Sequence, residues 1–175
     1  MPLLRTVALL ALTAASLGCH TVSSTLIVPE PVEVSRTIGG SVRIDAEGSD
    51  KQGMFGPSII DAEGLRSALT ETVLACGLFD EVADAGRHRL RVEVVELVEP
   101  EVGFDTHCEV SLRWTLQDGA GARTLWMETI TTSATMNSYE EMDSSLRPQL
   151  VMEKALRDNL SRGVQALASG APAAH

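Results

Sequence analysis

The chain has 175 residues, of which 44% are hydrophobic, 3% aromatic and 22% charged, which suffices for one compact domain with a core. Its net charge of -10 argues against a nucleic-acid partner, since binding to phosphates requires basic patches. Its three cysteines are too few for a disulfide scaffold.

The first residues carry a secretory signal pattern. Arg5 supplies a positive charge, Val7–Leu12 form an apolar run, and small residues lead up to Gly18. The run is shorter than the roughly 20 apolar residues that a membrane-spanning helix needs. We therefore predict a cleaved signal peptide over residues 1–18.

The end of this signal, Ala15–Cys19, resembles the lipobox of bacterial lipoproteins. The resemblance implies cleavage before Cys19 and lipidation of that residue, and several acyl chains on one residue would anchor the protein firmly. His20 follows in place of the Asp that marks inner-membrane retention, so the analogy favours the outer membrane, with the domain facing the periplasm. The alternative is an ordinary signal peptide that happens to contain a Cys.

Residues 19–40 are expected to form the lipidated Cys and a flexible tether. They are rich in Ser, Thr, Val and Pro and end in Gly39–Gly40, a composition typical of extended chain. At most one short edge strand, at Val32–Ser35, is expected here.

The domain begins with a strand at Ser41–Ala46, where apolar and polar residues alternate. Glu47–Pro57 is predicted to be a Gly-rich polar loop. Its only large apolar residues are Met54 and Phe55, and apolar residues at the tip of a loop indicate a contact site unless they fold under the sheet edge.

The first helix is predicted to follow this loop and to end near Cys76. Either Ser58, in a capping box with Asp61, or Asp61 itself caps its start. Gly77 is suited to end it. The apolar face has helical spacing and comprises Leu65, Ala68, Leu69, Thr72, Val73 and Cys76.

Three strands are predicted next. The first is Arg89–Leu97, in which the alternation changes phase and indicates a bulge at Val94–Val95. The second, Thr106–Gln117, alternates most regularly, and Asp118–Gly121 is a hairpin turn that leads into the third strand at Arg123–Ala134.

A long second helix is predicted from about Ser144 to Ala168, with Pro148 in its first turn. Residues 169–175 are predicted to be a disordered tail. One face of the helix is apolar and comprises Met152, Ala155, Leu156, Leu160, Gly163 and Leu167.

The resulting order is β-α-β-β-β-α over residues 41–168. Because each strand and each helix has one apolar face, both helices must cover the same side of the sheet. The prediction is an α+β two-layer sandwich with a mixed, mostly antiparallel four-stranded sheet, two helices on one face and a polar open face.

This organisation resembles small outer-membrane lipoproteins of Gram-negative bacteria with a sheet-and-two-helix domain. The local patterns Leu74–Phe79, Asp118–Gly119 before Leu125–Trp126, and Arg147 before Asn159 are similar to uncharacterised members of that group. The resemblance is architectural, so it implies a fold and carries over no functional residue.

Cys76 and Cys108 both fall on predicted core faces, so a disulfide in the oxidising periplasm and two small buried hydrophobic side chains both remain open. No metal site or cofactor is predicted. His107 and Cys108 are adjacent on a strand and point to opposite faces, and His88 is expected in an exposed stretch. No acidic pair or nucleophile motif indicates catalysis.

The second candidate contact loop is Val98–Asp105, which contains Phe104. These observations favour a non-enzymatic accessory or interaction domain, anchored in the membrane through Cys19 and docking an envelope protein. The alternative function is a periplasmic carrier that holds a small or lipidic ligand between the helices and the sheet.

Overall fold

The computed structural model describes residues 20–21, 27–53, 56–98, 100, 104–121 and 123–171. Two helices, α1 (Ala62–Ala75) and α2 (Arg147–Gly170), accompany eight strands in this part of the chain. The strands are β1 (His20–Thr21), β2 (Ser41–Glu47), β3 (Ser49–Gly53), β4 (Gly56–Ile60), β5 (Glu81–Val82), β6 (His88–Val98), β7 (Asp105–Asp118) and β8 (Thr124–Asn137).

The main sheet has the order β5-β2-β6-β7-β8. Strand β2 is parallel to β5 and β6, whereas β6, β7 and β8 form an antiparallel meander. Helix α1 packs on β2 and α2 packs on β7 and β8, and the helices touch each other. The predicted α+β class and element order are confirmed, but the sheet has five strands rather than four, because Glu81–Val82 adds a short edge strand.

Strand β7 forms the centre of the core, as its alternation predicts. One face is fully buried and comprises Cys108, Val110, Leu112, Trp114 and Leu116. On β6 the pairing register shifts between Val94 and Glu96, which confirms the predicted bulge and leaves Val95 exposed. Beyond the bulge Leu97 is buried again, so the bulge restores the inward face of the strand.

Helix α1 begins and ends as its capping residues require. The Asp61 carboxylate accepts a hydrogen bond from the backbone N–H of Gly64, so Asp61 is the cap and Ser58 lies in β4 instead. At the other end Gly77 has a φ of 62°. It donates its N–H to the carbonyl of Leu74, while Leu78 donates to Val73, which together form a Schellman motif.

Helix α2 is joined to the sheet by a buried polar side chain within its apolar face. The Asn159 amide accepts a hydrogen bond from the indole N–H of Trp114 at 3.2 Å and donates to the carbonyl of Ile130 at 2.7 Å. Thr132 donates to the carbonyl of Ala155 at 2.8 Å. These bonds fix the position of α2 on β7 and β8, because buried polar groups are costly to leave unpaired.

The predicted flexible tether differs from the structure. Residues 28–40 have no regular secondary structure, and no strand forms at Val32–Ser35. They nevertheless lie against the domain: Ile38 is buried and donates its N–H to the carbonyl of Leu78, and Arg36 donates to the carbonyl of Ala168. Apolar residues that are spaced irregularly along extended chain give no pattern, so their packing was missed.

Two other segments also differ from the prediction. The loop expected at Glu47–Pro57 contains β3 and β4, which pair with each other antiparallel, and β1 adds to β4 in parallel as a second, three-stranded sheet. At the C-terminus, α2 continues to Gly170 and Ala171 is buried, so residues 169–171 are ordered. Residues 172–175 and the predicted signal peptide over residues 1–18 lie outside the described residues.

Candidate functional site

Phe104, predicted as a contact residue, lies in an exposed aromatic pair. Its side chain is 62% exposed immediately before β7, and its ring meets that of Tyr139 edge to face with 5.7 Å between centroids. Tyr139 follows the end of β8 and is 84% exposed. Because β7 and β8 are antiparallel neighbours, the start of one lies beside the end of the other, which brings the two rings together.

The backbone beneath this pair is held in place from two sides. The carbonyl oxygen of Phe104 accepts hydrogen bonds from the backbone N–H of Ser138 at 3.1 Å and from Nη1 of Arg147 at 3.2 Å. Arg147 begins α2 and is only 6% exposed. The rings are therefore exposed on a fixed base rather than on a freely moving loop.

The segment that joins β8 to α2 carries two more exposed apolar side chains. Met142 is 86% exposed and Leu146 is 46% exposed. We call the contacting pair Phe104 and Tyr139 the aromatic patch. Sequence reasoning found Phe104 and missed Tyr139, although large apolar residues among the acidic and Ser residues of 138–146 were a signal that could have located it.

The other predicted contact residues and the predicted lipidation site fall outside the part of the chain that the structure describes. Met54 and Phe55 lie outside the described residues, between β3 and β4. Cys19 also lies outside them, immediately before β1. The lipidation of Cys19 and the contact role of Met54 and Phe55 therefore remain predictions.

The open face of the sheet carries a network of ion pairs. The Asp45 carboxylate pairs with Nε of Arg89 at 2.5 Å and with Nε of Arg43 at 3.0 Å. A second group joins Arg91 to Glu47 and Glu93, and Arg113 to Glu93. Burial alone would raise the pKa of Asp45, but hydrogen bonds from the two arginines outweigh that effect and hold its pKa below 3.8.

A cleft of about 310 Å³ lies beside this face, between β2, α1 and the residues after β5. Its charged lining residues are Arg43, Arg66 and Asp84, and Arg43 already pairs with Asp45. A small cleft with charges of both signs does not suit an acyl chain. Between α2 and the sheet, where the carrier alternative places its ligand, Trp114 fills the space beneath Gly163.

Cys76 and Cys108 are free thiols, and the fold explains why they do not pair. A disulfide, one of the two alternatives that the sequence left open, would require Cys108 to lie under the first helix. Cys76 instead ends α1, which packs on β2, whereas α2 covers the β7 strand that contains Cys108. The disulfide is therefore not formed in this structure.

We expect the two thiols to differ in alkylation. Burial, reinforced by the nearby Glu109 carboxylate, raises the pKa of Cys108 to about 12, so very little thiolate forms near neutral pH. In the folded mature protein, iodoacetamide at about pH 8 should modify Cys76 and leave Cys108 unmodified until urea is added. Peptide mass spectrometry distinguishes the sites, and an adduct on Cys108 without urea would contradict its burial.

His88 is buried, contrary to the exposed position expected for it. It is 8% exposed, packs against Phe79 with ring centroids 5.8 Å apart, and neither ring nitrogen has a hydrogen-bond partner within the described residues. Burial, reinforced by the neighbouring Arg87, lowers the pKa of His88 below its ordinary value of 6.5.

This burial predicts a loss of stability in acid. Since the folded pKa of His88 lies below the unfolded one, the unfolded chain binds the proton more tightly, so stability falls as the pH drops below about 6.5 and is unaffected above it. Replacing His88 with Leu should reduce the difference between the urea midpoints at about pH 7.5 and pH 5.5. Replacing the exposed His107 with Gln serves as the control. Equal pH dependence in both variants would contradict the prediction.

Among the described residues, no cluster of three or more His, Cys, Asp or Glu side chains has a geometry that could hold a metal ion. In the same part of the chain, no helix combines the length and the apolar character needed to cross a bilayer.

Comparison with solved structures finds bacterial proteins of the same fold. A Xanthomonas campestris protein of the family DUF330 is 11% identical, with a TM-score of 0.58 over 86% of this chain and 92% of that one. A minor lipoprotein from Acinetobacter baumannii is 9% identical, with a TM-score of 0.55 over 80% of this chain and 99% of that one. At these identities the likeness shows the fold. The sequence matches no protein-family model and no curated protein.

Proposed function

We propose that the protein is a lipid-anchored envelope lipoprotein that acts as a non-enzymatic accessory domain at the periplasmic face of the outer membrane. Lipid on Cys19 would hold it there, and the aromatic patch would dock a protein partner. The observation that carries the docking is the exposure of Phe104 and Tyr139 on a backbone fixed by Ser138 and Arg147. Rigid exposed aromatic residues are typical of contact sites.

Anchoring and docking would reinforce each other in this arrangement. A lipid tether confines the domain near the membrane and raises its effective concentration toward partners in the same layer. Cleavage after residue 18 removes one basic residue, Arg5, and no acidic residue, so the mature domain is more acidic than the precursor. That charge keeps the tethered domain away from anionic lipid headgroups and leaves its surface available to proteins.

The anchoring is tested by replacing Cys19 with Ser in cells supplied with labelled palmitate. We expect the label to disappear and the precursor to remain uncleaved. Cys76→Ser is the matched control, because it removes a thiol that has no part in the signal and should leave both labelling and cleavage unchanged. Continued labelling of the Cys19 variant would contradict the lipobox assignment.

The docking is tested in mild detergent extracts of intact membranes by native electrophoresis. We expect the wild type to migrate in a complex larger than one chain, and the double variant Phe104→Ser/Tyr139→Ser to lose it. Met127→Ser is the control, because Met127 is 62% exposed, like Phe104, but lies within β8 rather than in the patch. A complex that survives in the double variant would contradict docking through this patch, and lipid bound to a single chain would favour the carrier alternative.

A further inference from the structure

Acidic residues flank both members of the aromatic patch in the sequence. Asp105 follows Phe104 directly, and Glu140, Glu141 and Asp143 lie among the apolar residues of 138–146, a segment that contains no Lys or Arg. We call Asp105, Glu140, Glu141 and Asp143 the acidic rim. Glu141 is partly exposed and the other three are exposed.

Backbone hydrogen bonds position three of the four carboxylates of the rim. Glu140 accepts from the N–H of Asn137 and Glu141 from that of Asp143, each at 2.9 Å. Asp143 accepts from the N–H of Ser145 at 2.9 Å and from its hydroxyl at 2.6 Å, which lowers the pKa of Asp143 and favours its ionised form. These three negative charges therefore have defined positions in the segment that follows β8.

The rim differs from the other charged surface of the domain. On the open sheet face Asp45, Glu47 and Glu93 are each paired with an arginine. Within the described residues, none of the four rim carboxylates forms an ion pair with a basic side chain. In the described part of the chain, the hydrogen-bond donors to the rim are neutral backbone N–H groups and the Ser145 hydroxyl.

We infer that the aromatic patch binds a protein segment that presents apolar side chains flanked by Lys or Arg. The inference rests on the proposed docking function and adds the chemistry of the partner. Burying the patch would bring the rim carboxylates against the partner and remove water from them, which is costly unless basic groups pair with them. Basic groups on the partner would also accelerate association and exclude acidic competitors.

The same charges disfavour two other occupants. An anionic membrane surface would repel the carboxylates of the acidic rim. A second copy of the chain docking patch to patch would place one acidic rim against another, since a two-fold interface uses the same surface on both sides. A partner of opposite charge avoids both penalties.

The test uses the mature lipoprotein in nanodiscs of zwitterionic lipid, with empty nanodiscs as background. Three labelled octapeptides serve as probes: alternating Leu and Lys, alternating Leu and Glu, and alternating Ser and Lys. Fluorescence anisotropy should show the Leu/Lys peptide binding about tenfold more tightly than either of the others. Its affinity should fall as salt is raised, because the rim is exposed and its charge is screened.

Variants then assign the binding to the patch and the rim. Phe104→Ser/Tyr139→Ser should weaken binding of the Leu/Lys peptide about tenfold, Glu140→Gln/Glu141→Gln should weaken it severalfold, and Met127→Ser should leave it unchanged. If the Leu/Glu peptide bound as tightly as the Leu/Lys peptide, the inference of a basic partner would be overturned. Binding of the protein to anionic vesicles that depended on the patch would overturn it as well. If the native complex depends on Phe104 but no peptide shows a charge preference, the proposed function stands and this inference fails.

Discussion

Replacing Gly163 with Ala should destabilise the domain by about 3 kcal/mol, although the same change usually stabilises a helix by about 1 kcal/mol. Gly163 lies on the buried face of α2 directly over Trp114, and an added methyl group would overlap the six-membered part of the indole. Trp114 is fully buried and its N–H is bound to Asn159, so the ring cannot move aside. The helix would have to lift off the sheet.

Urea unfolding of the purified mature protein, followed by circular dichroism, measures this effect. Ser169→Ala is the matched control, because Ser169 is exposed on the same helix and its replacement should change stability by less than about 0.5 kcal/mol. Trp114→Leu should itself reduce the stability of the domain. In the Trp114→Leu background, however, Gly163→Ala should cost much less stability than it does in the wild type. An unchanged urea midpoint in the Gly163→Ala variant would contradict the close contact between α2 and β7.

Replacing Asn159 with Leu should cost about 3 kcal/mol, even though Leu suits the apolar stripe of α2 better than Asn does. Asn159 is fully buried, and its amide also reaches the Thr132 hydroxyl at 3.2 Å. A leucine would leave the indole N–H of Trp114 without its acceptor in a region that water does not reach. An unsatisfied buried donor costs about 1–3 kcal/mol, and Leu is branched differently from the planar amide, which adds a packing cost.

The matched control is Gln165→Leu, which makes a similar change on the exposed side of α2 and should be nearly neutral. Unfolding midpoints and the near-ultraviolet signal of Trp114 report stability and local packing separately. An Asn159→Leu variant as stable as the wild type would show that the hydrogen bonds of this amide are not needed to hold α2 on the sheet.

The core was predictable because its residues follow regular periods. The alternation of β7 and the stripe of α2 define buried faces without any knowledge of the partner element. The two-residue strand Glu81–Val82 was missed because two residues establish no period. His88 was taken as exposed because no alternating pattern includes it, yet pairing with Val42 and Asp118 places it at the edge of the core.

The candidate site was predictable only in part. Phe104 stands out in the sequence because a lone aromatic residue in a loop with Pro and Gly has no place in a periodic core. Its contact with Tyr139 depends on the register of β7 against β8 and on the buried Arg147 that holds the loop base. Neither the register nor the return of the chain to Arg147 can be read from local sequence.

The proposed function requires the lipid-anchored domain to dock a protein through the aromatic patch. The most direct test is photocrosslinking in cells, with a photoreactive amino acid placed at position 104 or, as the equally exposed control, at position 127. We predict one discrete adduct with a membrane-fraction protein from position 104, reduced by Glu140→Gln/Glu141→Gln, and none from position 127. No adduct at position 104, or the same adducts from both positions, would contradict the account.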